Sequence, residues 1–159
     1  MSNLIYVTIT GKQQGVLSAG CSSYDSIGNK FQENHLNQIM VISMEHSINR
    51  VKNVNHGPLS FVKFIDKSSP LLGVAISNNE ELELKFDMYR ASSSGSQELY
   101  YSITVRKAYL NGVSIIYPHT IDHSGNQPEE MISLNYETIT WEHHAAGTSG
   151  YSIWEDRVF

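Results

Sequence analysis

One stretch of this 159-residue sequence has the apolar spacing of a helix, and it constrains what the rest of the chain can form. Ser68 and Ser69 are residue types that cap the start of a helix, and Pro70 suits the first helical position, where its missing N–H costs nothing. The apolar residues that follow fall on one face: Leu71, Leu72, Ala75 and Ile76. A one-sided helix of about ten residues is marginal in water by itself, so it must pack on a larger structure.

That larger structure is predicted to be β-sheet, because apolar and polar residues alternate along much of the chain. The alternation is clearest at 81–89, where Leu82, Leu84 and Phe86 separate charged neighbours. The other predicted strands are residues 4–10, 38–48, 59–65, 98–106, 108–117 and 130–141. Short strands at these intervals, with one helix and no repeats, predict a barrel or sandwich rather than a parallel α/β fold.

The predicted strand at 38–48 has one apolar and one mixed face. The residues predicted to face the core are Met40, Ile42 and Met44. Ser43 and Glu45 alternate with them, so we expect these two side chains to point away from the core.

Length, charge and hydropathy limit the class of protein. A chain of 159 residues can bury its own core, so we predict one domain spanning 1–159. Sixteen acidic and eleven basic residues give a net charge of -5 without a long block of either sign, which argues against nucleic acid as a partner. No apolar run approaches membrane-spanning length, so we expect no membrane insertion.

The beginning of the sequence and its single cysteine indicate where the protein folds. No basic residue precedes the first apolar segment, so the layout of a signal peptide is missing. Cys21 has no intramolecular partner, as expected for folding in a reducing cytoplasm. We interpret this cysteine as a small apolar filler rather than a reactive thiol.

The sequence offers few candidates for catalysis. Glu142, His143 and His144 are possible zinc ligands, but neighbouring strand residues point to opposite faces, so both histidines cannot easily serve one metal. Ser149 does not lie in the Gly-x-Ser-x-Gly motif of hydrolases, and nucleotide-binding fingerprints are also missing. We therefore predict no enzyme activity, no metal site and no cofactor.

Two aromatic residues near the end of the chain leave alternatives open. Tyr151 and Trp154 could stack on a sugar, contact a neighbouring subunit or pack within the chain. A carbohydrate-binding or other ligand-binding β-domain is therefore an alternative function, and a metal hydrolase is a third. The number of subunits in solution would separate a self-assembling protein from both.

Residues 61–72 resemble the signature of the Hcp family, the haemolysin-coregulated tube proteins of bacterial type VI secretion systems. The signature residues of the helix start are Asp66, Ser69, Pro70, Leu71 and Leu72. Residues 133–141 are similar to the family's last conserved strand, and residues 146–157 resemble the ending of its enterobacterial branch. The resemblance covers essentially the whole chain.

The resemblance implies both a fold and a function. The fold is an antiparallel β-barrel of two sheets with one short flanking α-helix. The subunits form hexameric rings that stack into a tube, which a contractile sheath drives out of the cell behind a spike protein of the VgrG type. Effector proteins travel in the lumen, and no toxin domain is expected after the barrel. The protein would leave the bacterial cytoplasm through this machinery without a signal peptide.

The resemblance also suggests two surfaces of the ring. By position in the family, Ser43 and Glu45 are expected to line the lumen. Residues 49–58 contain three Asn, one Gly and one Pro, so they are predicted to be a long connection, and in the family this segment projects from the ring face. The residues expected at a contact between rings are Arg50, Lys52, Asn53 and His56.

Overall fold

The chain is mostly antiparallel β-strand. The computed structural model describes residues 3–30 and 33–155. The strands are β1 (Leu4–Gly11), β2 (Gly15–Val16), β3 (Ile39–Glu45), β4 (Ile48–Arg50), β5 (Val54–His56), β6 (Leu59–Phe64), β7 (Leu82–Ala91), β8 (Gln97–Ile116), β9 (Glu129–Asn135), β10 (Thr138–His143) and β11 (Thr148–Ile153). The helices are α1 (Tyr24–Ile27) and α2 (Ser69–Ser77), with 3-10 turns at Gly28–Lys30 and Glu33–His35. Of the described helices, none has the length and apolar character needed to cross a membrane.

Six strands close on themselves as a barrel, in the order β7, β1, β3, β6, β9 and β8. The barrel closes because β8 pairs with β7 through its first half and with β9 through its second half. β8 is 20 residues long, and its register with β7 shifts beside Lys107, whose φ is 48°. β10 and β11 extend the sheet outward from the first half of β8, and β11 forms its edge.

The predicted fold class, mainly β with an antiparallel barrel and one short flanking helix, is confirmed. Two predicted strands, 98–106 and 108–117, form the single strand β8, because a local change of direction does not interrupt its pairing. β11 was not predicted as a strand. Most of its side chains are exposed at the sheet edge, so it lacks an apolar alternation.

The core is built from the inward faces of the barrel strands. Leu82, Leu84 and Phe86 of β7 are fully buried, as their alternation predicts. Val7 and Ile9 of β1 lie in the same core. This contiguous apolar cluster supplies most of the favourable free energy of folding.

The predicted orientation of β3 is wrong in its first half. Met40 and Ile42 were expected to face the core, but Met40 is half-buried and Ile42 is 40% exposed. Ile39 and Val41 face the core instead and are buried.

A β-bulge explains this difference. The pairing of β3 with β6 shifts between Val41 and Ser43, so Ile42 is an extra residue in the ladder. An extra residue reverses which face the following side chains occupy. Beyond the bulge, Met44 packs against the core, while Ser43 and Glu45 are exposed as predicted.

Helix α2 lies where the sequence predicts it. Pro70 is in its first turn, and Leu72 and Ala75 are buried against the barrel. Leu71 and Ile76 are only half-buried, although they also pack on the core. The buried stripe of this helix is therefore narrower than the predicted apolar face.

The predicted serine cap of α2 is wrong, and one helix was missed. Ser68 makes no capping hydrogen bond to the first turn: its backbone is in the αR region, and its hydroxyl donates to the carboxylate of Asp66. Helix α1 spans only four residues, which is too short for an apolar period to appear in the sequence.

Candidate assembly site

A buried ionic network lies beneath the start of α2. Lys63 Nζ is 3.0 Å from Asp66 Oδ1 and 2.7 Å from Glu130 Oε1. The same ammonium donates to the Phe64 carbonyl at 3.1 Å and to Ser69 Oγ at 3.2 Å. All three charged side chains are buried, and buried charges need close partners. Lys63 therefore joins β6, β9 and the entrance to α2.

This network gives the signature residues a structural role. Asp66 Oδ1 accepts the Ser68 N–H at 2.9 Å, and Ser69 Oγ accepts the Asp66 N–H at 3.0 Å. These bonds shape the turn that places the helix on the barrel. Lys63 and Glu130 were not predicted as site residues. Both side chains lie on the inward face of a strand, where the other residues are apolar. A charged residue at an inward position of an alternating strand is the sequence signal that could have identified them.

Residues 49–58 form part of a small β-hairpin rather than an irregular connection. β4 and β5 pair from Ile48 opposite His56 to Arg50 opposite Val54. At the hairpin tip, Val51 is 92% exposed and Lys52 is also exposed. Asn53 is half-buried, and its buried Oδ1 accepts no hydrogen bond from the described residues.

His56, which was expected at a ring contact, does not belong to the exposed part of this hairpin. Its side chain is buried, with Nδ1 2.7 Å from the Tyr136 hydroxyl and Nε2 3.0 Å from Ser152 Oγ. The Trp154 ring stacks on the imidazole at a centroid distance of 5.6 Å. Burial lowers the pKa of His56. The pattern of apolar and polar residues could not predict this burial, because the hydrogen-bond partners of His56 lie 80 or more residues away in the sequence.

Ser43 and Glu45 contribute to an exposed surface across three strands, which we call the outer β3–β6–β9 surface. Ser43 lies opposite Val62, which lies opposite Met131, and Glu45 lies opposite Ser60. These five residues line a shallow groove of about 270 Å³. The groove combines apolar side chains with hydroxyls and one carboxylate, so it suits contact with another protein surface.

The other candidate residues lie in separate environments. His143 Nδ1 accepts the Ala146 N–H at 3.0 Å, whereas His144 Nε2 is 2.8 Å from Ser102 Oγ. Glu142 is 3.4 Å from the other ring nitrogen of His144. Within residues 3–30 and 33–155, no three potential ligands are grouped so that they could hold a metal ion.

The remaining singled-out side chains also have identifiable surroundings. Cys21 is buried, and burial, followed by the charge of Asp66, raises the pKa of its thiol to about 11. The thiol is therefore protonated near neutral pH. Trp154 packs within the chain against His56, while Tyr151 and Ser149 are exposed on β11.

The comparison with known proteins identifies the family. A family model described as a type VI secretion system effector, Hcp, matches residues 6–143. The chain belongs to the Hcp family.

Individual relatives and structures agree with this assignment. The Hcp chain is 41% identical over 150 residues to the uncharacterized protein YhhZ of Escherichia coli K12, covering 93% of this chain but 37% of that relative. It thus spans just over a third of the length of YhhZ. It is 33% identical to the major exported protein of Pseudomonas aeruginosa, covering 99% of both chains.

Solved structures resemble the chain over almost its full length. A crystal structure of an Hcp protein has 28% identity and a TM-score of 0.91, covering 98% of this chain and 99% of that one. The secreted protein Hcp3 from Pseudomonas aeruginosa has 34% identity and a TM-score of 0.88, covering 98% and 100%.

Proposed function

We propose that this Hcp protein is a tube subunit, which forms hexameric rings that stack into the inner tube exported by a type VI secretion system. The observation that carries the proposal is the match of the complete barrel, hairpin included, to solved Hcp structures over 98% of the chain. The outer edge of β11, which pairs with no strand in the described part of the chain, adds support, because exposed edges are commonly covered by a neighbouring subunit.

The hairpin of β4 and β5 is the proposed contact between rings. Val51 at the hairpin tip is 92% exposed and the adjacent Lys52 is also exposed, so an apolar and a positively charged side chain are both accessible to a neighbouring ring. One exposed ion pair is worth only about 0 to 1 kcal/mol. A hexameric ring repeats the contact for every subunit, so the summed contact free energy becomes sufficient to hold two rings together.

The proposed partners follow from this role. They are further copies of the chain, a contractile sheath, a spike protein of the VgrG type and effector proteins carried in the lumen. The subunit would fold in the bacterial cytoplasm and leave through the secretion machinery. Neither nucleic acid nor membrane insertion is part of the proposal.

The first prediction tests rings and stacking together. The parent protein is expected to have a hexameric native mass and to show rings and stacked rings in negative-stain images. The double variant Val51→Ser, Lys52→Glu should keep the hexameric mass and reduce the stacked fraction about tenfold, because small contact losses are repeated around the ring. Electron microscopy at matched protein concentration measures that fraction.

The control is Lys85→Glu, which makes the same charge change on the exposed face of β7. It should leave both rings and stacks unchanged. A strictly monomeric parent contradicts the ring, and normal stacking by the hairpin variant assigns the ring contact to another surface.

The second prediction concerns the outer β3–β6–β9 surface, which we propose lines the lumen. Glu45→Arg should change the affinity for a carried effector by about tenfold, because it reverses the charge at a contact surface. Since Glu45 is exposed, the free energy of unfolding should change by less than about 0.5 kcal/mol. Co-purification of effector with rings measures the effect.

Glu142→Arg is a suitable control, because Glu142 is exposed on β10, away from this groove. Should Glu45→Arg abolish rings while the monomer stays folded, Glu45 belongs to the subunit interface and the lumen proposal is withdrawn.

A further inference from the structure

Three segments that are distant in sequence meet at one polar cluster beside the core. His46 follows β3, His56 ends β5, and Tyr136 lies in the turn between β9 and β10. The Tyr136 hydroxyl oxygen is 2.7 Å from His46 Nε2 and 2.7 Å from His56 Nδ1. His56 Nε2 continues the chain of hydrogen bonds to Ser152 on β11, at 3.0 Å. The cluster therefore ties both the hairpin and the edge strand to the barrel.

The hydrogen bonds of this cluster depend on how many protons it holds. The Tyr136 hydroxyl has one hydrogen, so it can donate to one imidazole and accept from the other. With both histidines neutral, every contact has a donor and an acceptor. When only His56 is protonated, its imidazolium donates to the tyrosine oxygen and the Tyr136 hydroxyl can still donate to the neutral His46. With both imidazoles protonated, both donate toward the same oxygen, and the hydroxyl hydrogen has no acceptor within the cluster.

The surroundings make the doubly protonated state costly. His56 and Tyr136 are buried, and Trp154 covers the His56 ring and packs edge-on against Tyr136. Within the described part of the chain, Tyr136 is the only titratable group that hydrogen bonds to either imidazole. Two positive charges separated by one hydroxyl oxygen repel each other strongly where water is scarce.

Within residues 3–30 and 33–155, the nearby charged residues do not neutralise the pair. Glu45 directly precedes His46, but its side chain is exposed on β3. Arg50 lies on the same face of the hairpin as His56, and its side chain brings no negative charge to the cluster. Glu137, which follows Tyr136, pairs with Lys107 at 3.5 Å, and Glu155 is exposed.

We propose that His46, His56 and Tyr136 form an acid-sensitive latch, which holds the hairpin and the end of β11 on the barrel at neutral pH and releases them when both histidines are protonated. The release would also loosen a stack of rings. That consequence rests on the proposed function of the hairpin, whereas the latch itself does not.

The direction of the pH effect follows from linkage. Burial and then the neighbouring His56 lower the pKa of His46, and burial lowers the pKa of His56, both from an ordinary value of 6.5. The open state, with ordinary pKa values, therefore binds more protons than the closed state. The stability of the latch is complete above about pH 6.5 and is lost as the pH falls through the lower pKa values of the closed state.

Hydrogen exchange of the whole protein, followed by mass spectrometry, tests the latch. Backbone protection of segments 46–57 and 148–154 should fall about tenfold between about pH 7.5 and about pH 4.5, after correction for intrinsic exchange rates. Protection of β7 should not change. The double variant His46→Gln, His56→Gln keeps side chains that donate and accept but cannot be protonated, so its protection should not depend on pH.

The control is His119→Gln, His123→Gln, which removes two exposed histidines and should behave like the parent. The latch is overturned if the parent keeps full protection at low pH, or if the His46→Gln, His56→Gln variant loses protection as the parent does. Histidine NMR titration of the parent gives an answer that needs no variant: His46 and His56 must titrate together with the loss of hairpin protection. Titration without that loss overturns the latch.

The same measurements keep the two proposals separate. Exchange reports on the hairpin within each subunit, whereas native mass and electron microscopy report on rings and stacks. If the hairpin loses protection in acid as expected but the protein never forms rings, only the proposed function is contradicted. If the protein forms stacked rings but the hairpin keeps its protection in acid, only the latch is contradicted.

Discussion

Lys63→Met is expected to lower the free energy of unfolding by about 3 to 5 kcal/mol, the largest effect among the substitutions considered. Methionine has a similar length and would fill the space, so the loss arises from charge rather than from a cavity. Removal of the ammonium leaves Asp66 and Glu130 buried without their positive partner. Urea denaturation followed by circular dichroism measures the change.

Two further variants show whether charge is the cause. Lys85→Met removes an exposed lysine of β7 and should change stability by less than about 0.5 kcal/mol. Adding Glu130→Gln to Lys63→Met removes one unpaired carboxylate and should recover part of the loss. A Lys63→Met variant as stable as the parent contradicts a stabilising role for the network.

Leu72→Ala is expected to cost about 2 to 5 kcal/mol. Leu72 is fully buried on the inner face of α2 and belongs to the main core, so its truncation removes apolar contacts and leaves a cavity. The matched control is Val74→Ala on the same helix, because Val74 is 44% exposed and should cost less than about 1 kcal/mol. Equal losses for the two variants would show that the helix does not rest on the barrel through Leu72.

The residues chosen for the stacking and lumen proposals lie at two separate exposed places. Val51 and Lys52 are exposed at a hairpin tip, and Ser43 and Glu45 are exposed beyond the bulge of β3. His56 was expected at the same ring contact, yet it lies among Tyr136, Ser152 and Trp154. Its role is internal, and it connects the hairpin with the rest of the subunit.

Sequence patterns predicted those parts of the fold that depend on neighbours along the chain. Pro70 and the apolar residues after it predicted the position of α2, because helix periodicity and the fixed φ of proline are local properties. Strict alternation predicted the inward face of β7, since successive strand residues point to opposite faces. The same rule failed for β3, where Ile42 is inserted as a bulge.

The sequence by itself therefore determined the mainly β class, the place of its one substantial helix and, through its resemblance to a family, the expected function. Only the tertiary structure decided that β8 closes the barrel, that Lys63 meets Glu130 across 67 residues, and that Tyr136 joins two histidines. The physical reason is that these features are hydrogen bonds and ion pairs between distant segments. No local period encodes such pairs, because their energy exists only once strand register and closure have brought the partners together.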